Sequence, residues 1–375
     1  MVAADLLTFS LIASLLMEPV EAIVLAGGQG TRLRPMTIST PKPLLPAAGV
    51  PFLAHQLARA AAAGVARVVL ATSYRAEMFE AGLGDGASLG LEIDYATEEQ
   101  PLGTGGGIRN AASRLTCGPD EPVVILNGDV LSGHDIGAQL ELHRSVGAAV
   151  TLHLVEVADP SRFGCVPTDS SSRVTAFLEK TPAPVTNRIN AGCYVFQRRA
   201  IERIPAGRAV SVERETFPGL IAAGERVFGY AETAYWLDVG TPEAFVRGSC
   251  DLVLGLLPSP ALPGPCGNML VLPGAAVDPG AEVSGGTVIG AGAVVAPGAR
   301  VHESVLLDDV TVAPGAIVSG SIIGRGARIG EGAVLDEAFI GDGVVIGAGN
   351  ELRHGIRVWP RTRIEPGTIR FSTDV

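Results

Sequence analysis

The residues best suited to chemistry lie in one stretch, GGQGTRLRPMTISTPKP, from Gly27 to Pro43. Gly27, Gly28 and Gly30 let backbone N–H groups close on phosphate oxygens with no side chain in the way, while Arg32, Arg34 and Lys42 bring cations to neutralise them. That is the outline of a polyphosphate site. The spacing is not G-x-x-x-x-G-K-[ST], since no Lys-Ser or Lys-Thr pair follows, and not the dinucleotide G-x-G-x-x-G, since Leu33 stands where the last glycine belongs. Charge usage sharpens the reading. Of 28 basic residues only Lys42 and Lys180 are lysines. A compact ammonium and a planar guanidinium are not interchangeable where a phosphate is met as a point charge, so both lysines are candidate phosphate ligands.

The elements that must position this loop are a strand-length apolar segment, Glu21 to Ala26, and a helical pattern at about 51 to 63. Arg67 to Thr72, Leu91 to Tyr95 and Pro122 to Asn127 read as further strands, separated by helices at about 74 to 82 and 105 to 115 and followed by one at about 135 to 146. This alternation predicts an α/β fold with parallel strands whose ligands bind at the strand carboxyl ends, where Asp129 falls. From about 148 to 238 the pattern turns to strands: Ala148 to Val157, Phe163 to Pro167, Val174 to Leu178, Ile189 to Phe196 and Tyr235 to Val239. Thr241-Pro-Glu243 then opens a helix with an N-cap, a first-turn proline and an acid.

The motifs resemble, in order, those of the sugar nucleotidyltransferases, the nucleoside-diphosphate-sugar pyrophosphorylases. GGxGTRLRP with PKP beyond it is followed by Pro101-Leu-Gly-Thr-Gly105, Asn127-Gly-Asp129, Phe177-Leu-Glu-Lys180, Ile189-Asn-Ala-Gly192, SVERETFP from Ser211 to Pro218, and Trp236-Leu-Asp-Val-Gly240. SVERETFP and a hexad-repeat tail are most similar to the mannose-1-phosphate guanylyltransferases. The resemblance implies a Rossmann-like domain with a mixed sheet, and attack of a sugar 1-phosphate oxygen on the α-phosphorus of a nucleoside triphosphate, with pyrophosphate leaving. It implies that Arg32, Lys42 and Lys180 act on the phosphates. Ala26, Gly27, Gly28, Gly30, Thr31, Gln100, Gly103, Thr104 and Gly128 would hold the nucleotide, and Gly164, Glu179 and Asn190 the sugar. Asp129 and Asp238 would hold Mg²⁺. Cys165 departs from the apolar residue usual beside the sugar-contacting glycine. The implied partners are GTP and mannose 1-phosphate. A glucose-1-phosphate uridylyl- or thymidylyltransferase, or a non-catalytic regulatory subunit of the same fold, is the alternative. An acyltransferase reading of the tail has only His302 and His354 to draw on, neither in a recognisable context.

The expected organisation is an N-terminal extension at 1–17, a catalytic domain at 18–254, a proline-rich linker at 255–268 and a left-handed parallel β-helix at 269–375. The extension has an apolar run but no basic residue before it and is too short to span a bilayer, so no membrane partner is expected. In the tail, apolar residues recur every six positions at Val271, Val277, Val283, Ile289, Val295, Val301 and Leu307. Five-residue steps then lead to Val312, Ile323 and Ile340, and the period resumes through Ile346, Leu352, Val358 and Ile364. Such hexads are the signature of a β-helix. Every matched motif lies upstream of the linker, so catalysis is expected to be confined to the first domain, with the tail serving assembly as a homo-oligomer or regulation. The net charge of −11 argues against nucleic acid. Five scattered cysteines read as thiols of a reducing cytoplasm, and the six histidines show no ligand spacing.

Overall fold

The computed structural model describes residues 19–262 and 267–370; the expected N-terminal extension and residues 263–266 lie outside them. Strands β1 (Val20–Leu25), β2 (Val65–Thr72), β3 (Glu92–Thr97) and β4 (Pro122–Asn127) alternate with helices α1 (Phe52–Ala62), α2 (Ala76–Leu83) and α3 (Gly103–Ala111). β1 pairs in parallel with both β2 and β4, and β2 with β3. The chain therefore builds the sheet outward on one side of β1 and returns on the other, which opens a crevice at the carboxyl ends of β1 and β4.

Beyond β4 the sheet becomes mixed, through β5 (Val130–Ser132), α4 (Ile136–Ser145), β6 (Val150–Glu156), β7 (Gly164–Cys165), β8 (Leu178–Glu179), β9 (Arg188–Gln197), β10 (Val227–Ala231) and β11 (Trp236–Asp238). β9 runs antiparallel to β4, β6 and β7, and β11 pairs antiparallel with β5 in a separate ribbon. Two expected strands shrink. Phe163 to Pro167 keeps only Gly164–Cys165, and Val174 to Leu178 keeps Leu178–Glu179 plus one bridge from Val174 to Thr168. β10 carries no expectation from the sequence, because Gly229 interrupts its short apolar run. A Cβ there would stand 2.5 Å from Leu154, so this glycine serves sheet packing rather than a break. Helix α5 (Pro242–Val253) starts as expected, with the Thr241 hydroxyl accepting from the Ala244 amide.

The tail forms three parallel sheets of six, six and five short strands, a three-faced parallel β-helix consistent with left-handed hexapeptide coils. Its interior is a column of buried aliphatic residues including Ile289, Leu306, Ile323 and Ile340. Leu307 is not in that column. Leu306 pairs with Ile289 and Ile323, so the first five-residue step falls between Val301 and Leu306. Adjacent residues of a strand point to opposite faces, which turns Leu307 outward into a cluster shared with the catalytic domain. That cluster joins Val288, Val305, Ile322 and Phe339 of the β-helix to Leu33, Met36, Phe52 and Phe245. The first domain is thus not self-contained. No helix among the described residues is long and apolar enough to cross a membrane.

Candidate active site

The glycine-rich turn leaves β1 at the crevice. A Cβ at Gly128 would lie 2.5 Å from the Leu25 carbonyl, so only glycine lets the end of β4 close on the end of β1. Gly30 adopts φ 60° and opens a short 3₁₀ turn at Thr31–Leu33, while Gly28 meets no atom within 4 Å of where a Cβ would be. Together these segments line a cleft of about 360 Å³ that includes Ala26, Gly28, Gly30, Thr31, Arg32 and Lys42 on one wall. Thr104, Asn127, Gly128, Asp129 and Gly240 complete it. A larger hollow of about 900 Å³ opens beside Val20, at the amino end of β1, where an α/β sheet does not place its ligands.

Lys42 is buried, and its Nζ lies 3.2 Å from Asp129 Oδ2. The backbone of β11 delivers the second carboxylate, since the Val239 amide donates to the Asp129 carbonyl and Asp238 pairs with Val130. Burial first and the Asp129 charge second hold the Asp238 carboxyl above the usual carboxylate range, against the opposing pull of Lys42, Arg32 and Lys180. Arg32 packs its guanidinium over Gly240, where a Cβ would meet it at 2.9 Å.

The residues expected to meet a sugar are assembled from β7, β8 and β9. Glu179 faces Gly164 across β7–β8, and a Cβ on Gly164 would meet the Phe177 ring at 2.7 Å and the Glu179 carboxylate at 3.0 Å. Burial and then Glu213 raise the proton affinity of Glu179, with Lys180 opposing. Lys180 adopts φ 49°, is exposed, and lies 3.7 Å from Glu179. The INAG motif is a β-bulge: register shifts between Asn190 and Tyr194, Gly192 takes φ 80°, and Asn190 donates to the Tyr194 hydroxyl at 2.8 Å.

Three features differ from expectation. The glycine run after Leu102 is the first turn of α3, and Gly103, Gly105 and Gly106 are required by the close backbone of residues 208–210. Gln100 is exposed and, like Gly27, does not line the cleft; the space beside Gly27 is filled by Ser73. Two of the six histidines, which show no ligand spacing along the chain, meet in space. His134 and His153 stack at 3.8 Å, both buried, and both meet Glu232. They come from three separate segments, so no spacing signal could announce them.

Residues without an assigned role also emerge. Asn127 carries a buried Oδ1 with no hydrogen-bond partner among the described residues. Glu213 accepts from Thr104 at 2.7 Å and from Ser211 at 2.7 Å, tying SVERETFP to α3. Both lie inside quoted motifs, which is the signal that could have found them.

A glycine-walled cleft lined by Lys42 and Asp129, with the Asp238 carboxyl near enough to feel both charges, at the switch point of a mixed sheet defines a phosphate-handling transferase. The chain belongs to the nucleotidyl transferase family, which it matches over residues 21–253, and residues 265–368 match the GMPPB C-terminal domain. It is 57% identical over 357 residues to the mannose-1-phosphate guanylyltransferase of Mycobacterium tuberculosis, covering 95% of this chain and 99% of that one. It is 40% identical over 263 residues to the mannose-1-phosphate guanylyltransferase catalytic subunit beta of Drosophila pseudoobscura pseudoobscura, covering 68% of this chain and 70% of that one. Among solved structures, HddC from Yersinia pseudotuberculosis superimposes with a TM-score of 0.53 at 28% identity, over 61% of this chain and 98% of that one. The same protein has been solved complexed with GMP-PN.

Proposed function

We propose that the protein transfers the guanylyl group of GTP to mannose 1-phosphate, giving GDP-mannose and pyrophosphate. The observation that carries this reading is the convergence of Arg32, Lys42, Asp129 and Asp238 on one cleft in a chain 57% identical to a mannose-1-phosphate guanylyltransferase along 99% of its length. The nucleophile is a phosphate oxygen that is already an anion. No general base is needed, and the chain's task is to align the attacking oxygen with the α-phosphorus and to neutralise charge on the leaving pyrophosphate. The open backbone at Gly28, next to the turn at Gly30, receives the triphosphate, and Lys42 and Arg32 meet the charge that develops on it. Lys180, at the sugar side, meets the phosphate of the sugar substrate, while Glu179, Asn190 and the backbone at Gly164 accept and donate to hydroxyls.

Asp129 and Asp238 fit Mg²⁺. Their mutual repulsion in a partly buried site is relieved by a divalent cation, which takes carboxylate and phosphate oxygens together. Held there, Mg²⁺ supplies further neutralisation of the phosphates. Cytoplasmic residence is supported by the free thiols Cys117, Cys165, Cys193 and Cys250. Self-assembly is supported by exposed apolar side chains on the β-helix, Val294 and Trp359 among them, and light scattering reads it directly.

The function is tested with purified protein and Mg²⁺, offering each NTP with mannose 1-phosphate and with glucose 1-phosphate and scoring pyrophosphate release. GTP with mannose 1-phosphate should give the highest kcat/KM. Preference for UTP or dTTP with glucose 1-phosphate would replace the substrate pair, and no turnover with any pair would make the chain a regulatory subunit.

A further inference from the structure

The three faces of the β-helix differ in what they turn outward. On one face the outward residues, matched coil by coil, are Leu270, Val288, Val305, Ile322, Phe339 and Arg357. The first five are apolar and pack on the catalytic domain; Val288 through Phe339 are buried. On the second face the matched positions are Ala276, Val294, Thr311, Arg328, Val345 and Arg363, mostly solvated. An arginine closing the apolar column is therefore out of pattern, and its position explains it. Arg357 Nη1 donates to the carbonyls of Arg32 at 2.9 Å and Arg34 at 3.0 Å.

Those carbonyls belong to the loop that lines the phosphate cleft. A 3₁₀ turn at Thr31–Leu33 would satisfy the Arg32 carbonyl from the amide three residues on, but that residue is Pro35, which has no N–H. Arg357 supplies the missing donor from outside the domain. The far end of the same loop is braced too: Ser39 donates to Asp342 at 2.6 Å, and Arg325, whose amide donates to Asp342 at 2.9 Å, reaches the Thr40 hydroxyl at 3.4 Å. Three successive coils of the β-helix, carrying Arg325, Asp342 and Arg357, thus grip the segment between Gly30 and Lys42 at both ends.

We propose that Arg357 is a positioning residue for nucleotidyl transfer: it fixes the backbone around Arg32 so that the loop presents its amides and Arg32 to the triphosphate. The β-helix is on this account part of the catalytic unit. The inference rests on the nucleotidyl-transfer reading of the cleft. Arg357 is itself exposed, so its removal should disturb the loop without unfolding either domain.

The full chain is compared with Arg357→Ala, Arg357→Lys and, as a control, Arg363→Ala, whose guanidinium pairs only locally with Glu365 at 3.0 Å. Readouts are kcat and KM for GTP and for mannose 1-phosphate, melting temperature, and hydrogen exchange of peptides spanning residues 27–44. Arg357→Ala should lower kcat/KM for GTP by about 10- to 100-fold, the effect of a displaced positioning group, with the sugar phosphate KM within about twofold. Exchange across 27–44 should quicken while β1 and the β-helix stay protected, and Arg357→Lys should recover part of both. GTP kinetics and exchange matching Arg363→Ala would overturn the proposal, as would a parallel loss of both substrates' KM and of melting temperature. If Arg357→Ala does not fold, Asp342→Asn, which weakens the Ser39 brace, is read on the same measurements. If the parent turns over no substrate pair, it is the function that fails, and the exchange comparison still decides whether Arg357 holds the loop.

Discussion

The segments proposed to hold the nucleotide and those proposed to hold the sugar are built differently. The nucleotide side comes from contiguous chain, residues 26–42 and 127–129, at the ends of two paired parallel strands, and its Gly28 leaves space open. The sugar side draws Gly164, Glu179, Lys180 and Asn190 from three short or bulged strands, and its glycines are filled against neighbours: Gly164 by Phe177, Gly192 by Asn127. Of Gly27, Gly28, Gly30 and Gly128, Gly28 alone is free for a ligand, whereas Gly164 and Gly192 are there for the fold. Charge divides the same way, with Lys42 buried against Asp129 and Lys180 exposed beside Glu179.

The largest test of this contrast removes the two carboxylates. Asp129→Asn and Asp238→Asn should each lower kcat by about 10³ or more, since on the proposed reading each would take a ligand from the cation, and raised Mg²⁺ should restore part of the rate. Asp238→Asn should also be at least as heat-stable as the parent at neutral pH. A carboxyl whose folded pKa exceeds its unfolded value binds its proton more tightly in the fold, so stability falls as pH rises through that window and the amide removes the penalty. Melting curves from pH 4 to 8 read the sign. Next, Lys42→Arg should cost about 10²–10³ in kcat, because a guanidinium cannot occupy the position of a buried ammonium. Lys180→Arg is milder. It should raise the KM for mannose 1-phosphate by about tenfold and leave that for GTP unchanged.

The glycines give the smallest and most selective comparison. Gly192→Ala should destabilise the protein by about 1–3 kcal/mol in denaturant melts, since φ 80° and a contact of 2.9 Å to Asn127 both oppose a Cβ. Gly28→Ala should leave stability within about 0.5 kcal/mol and raise the KM for GTP, because its Cβ meets no protein atom but stands in the cleft. Equal stability losses at the two positions would dissolve the distinction.

The same contrast governs what could be read in the sequence. The nucleotide side was legible because its residue types and spacing are local: strand, glycine turn, cations and Asn127-Gly-Asp129 all lie where the alternation of elements sends them. The β-helix was legible from its period, except at Leu307, where a five-residue step leaves two adjacent leucines as equal candidates until pairing assigns Leu306 to the interior. Apart from Lys180, which the scarcity of lysine singled out, the sugar-side residues could be named only by resemblance, since a bulge at Gly192 carries no periodic signal. Contacts between separate segments were invisible. The Glu232 triad is brought together by tertiary packing, and the apolar outward column Leu270, Val288, Val305, Ile322 and Phe339 shows only when every third hexad is read for its outward residue.

In the proposed reaction a sugar phosphate oxygen attacks the α-phosphorus of GTP in the cleft between β1 and β4. Incubation with mannose 1-phosphate, Mg²⁺ and GTP labelled either at the α- or at the γ-phosphorus, with products separated by chromatography, tests it most directly. The account predicts α-label in GDP-mannose and γ-label in pyrophosphate, both lost in Asp129→Asn. Label released as inorganic phosphate, or GDP-mannose formed undiminished by Asp129→Asn, would contradict it.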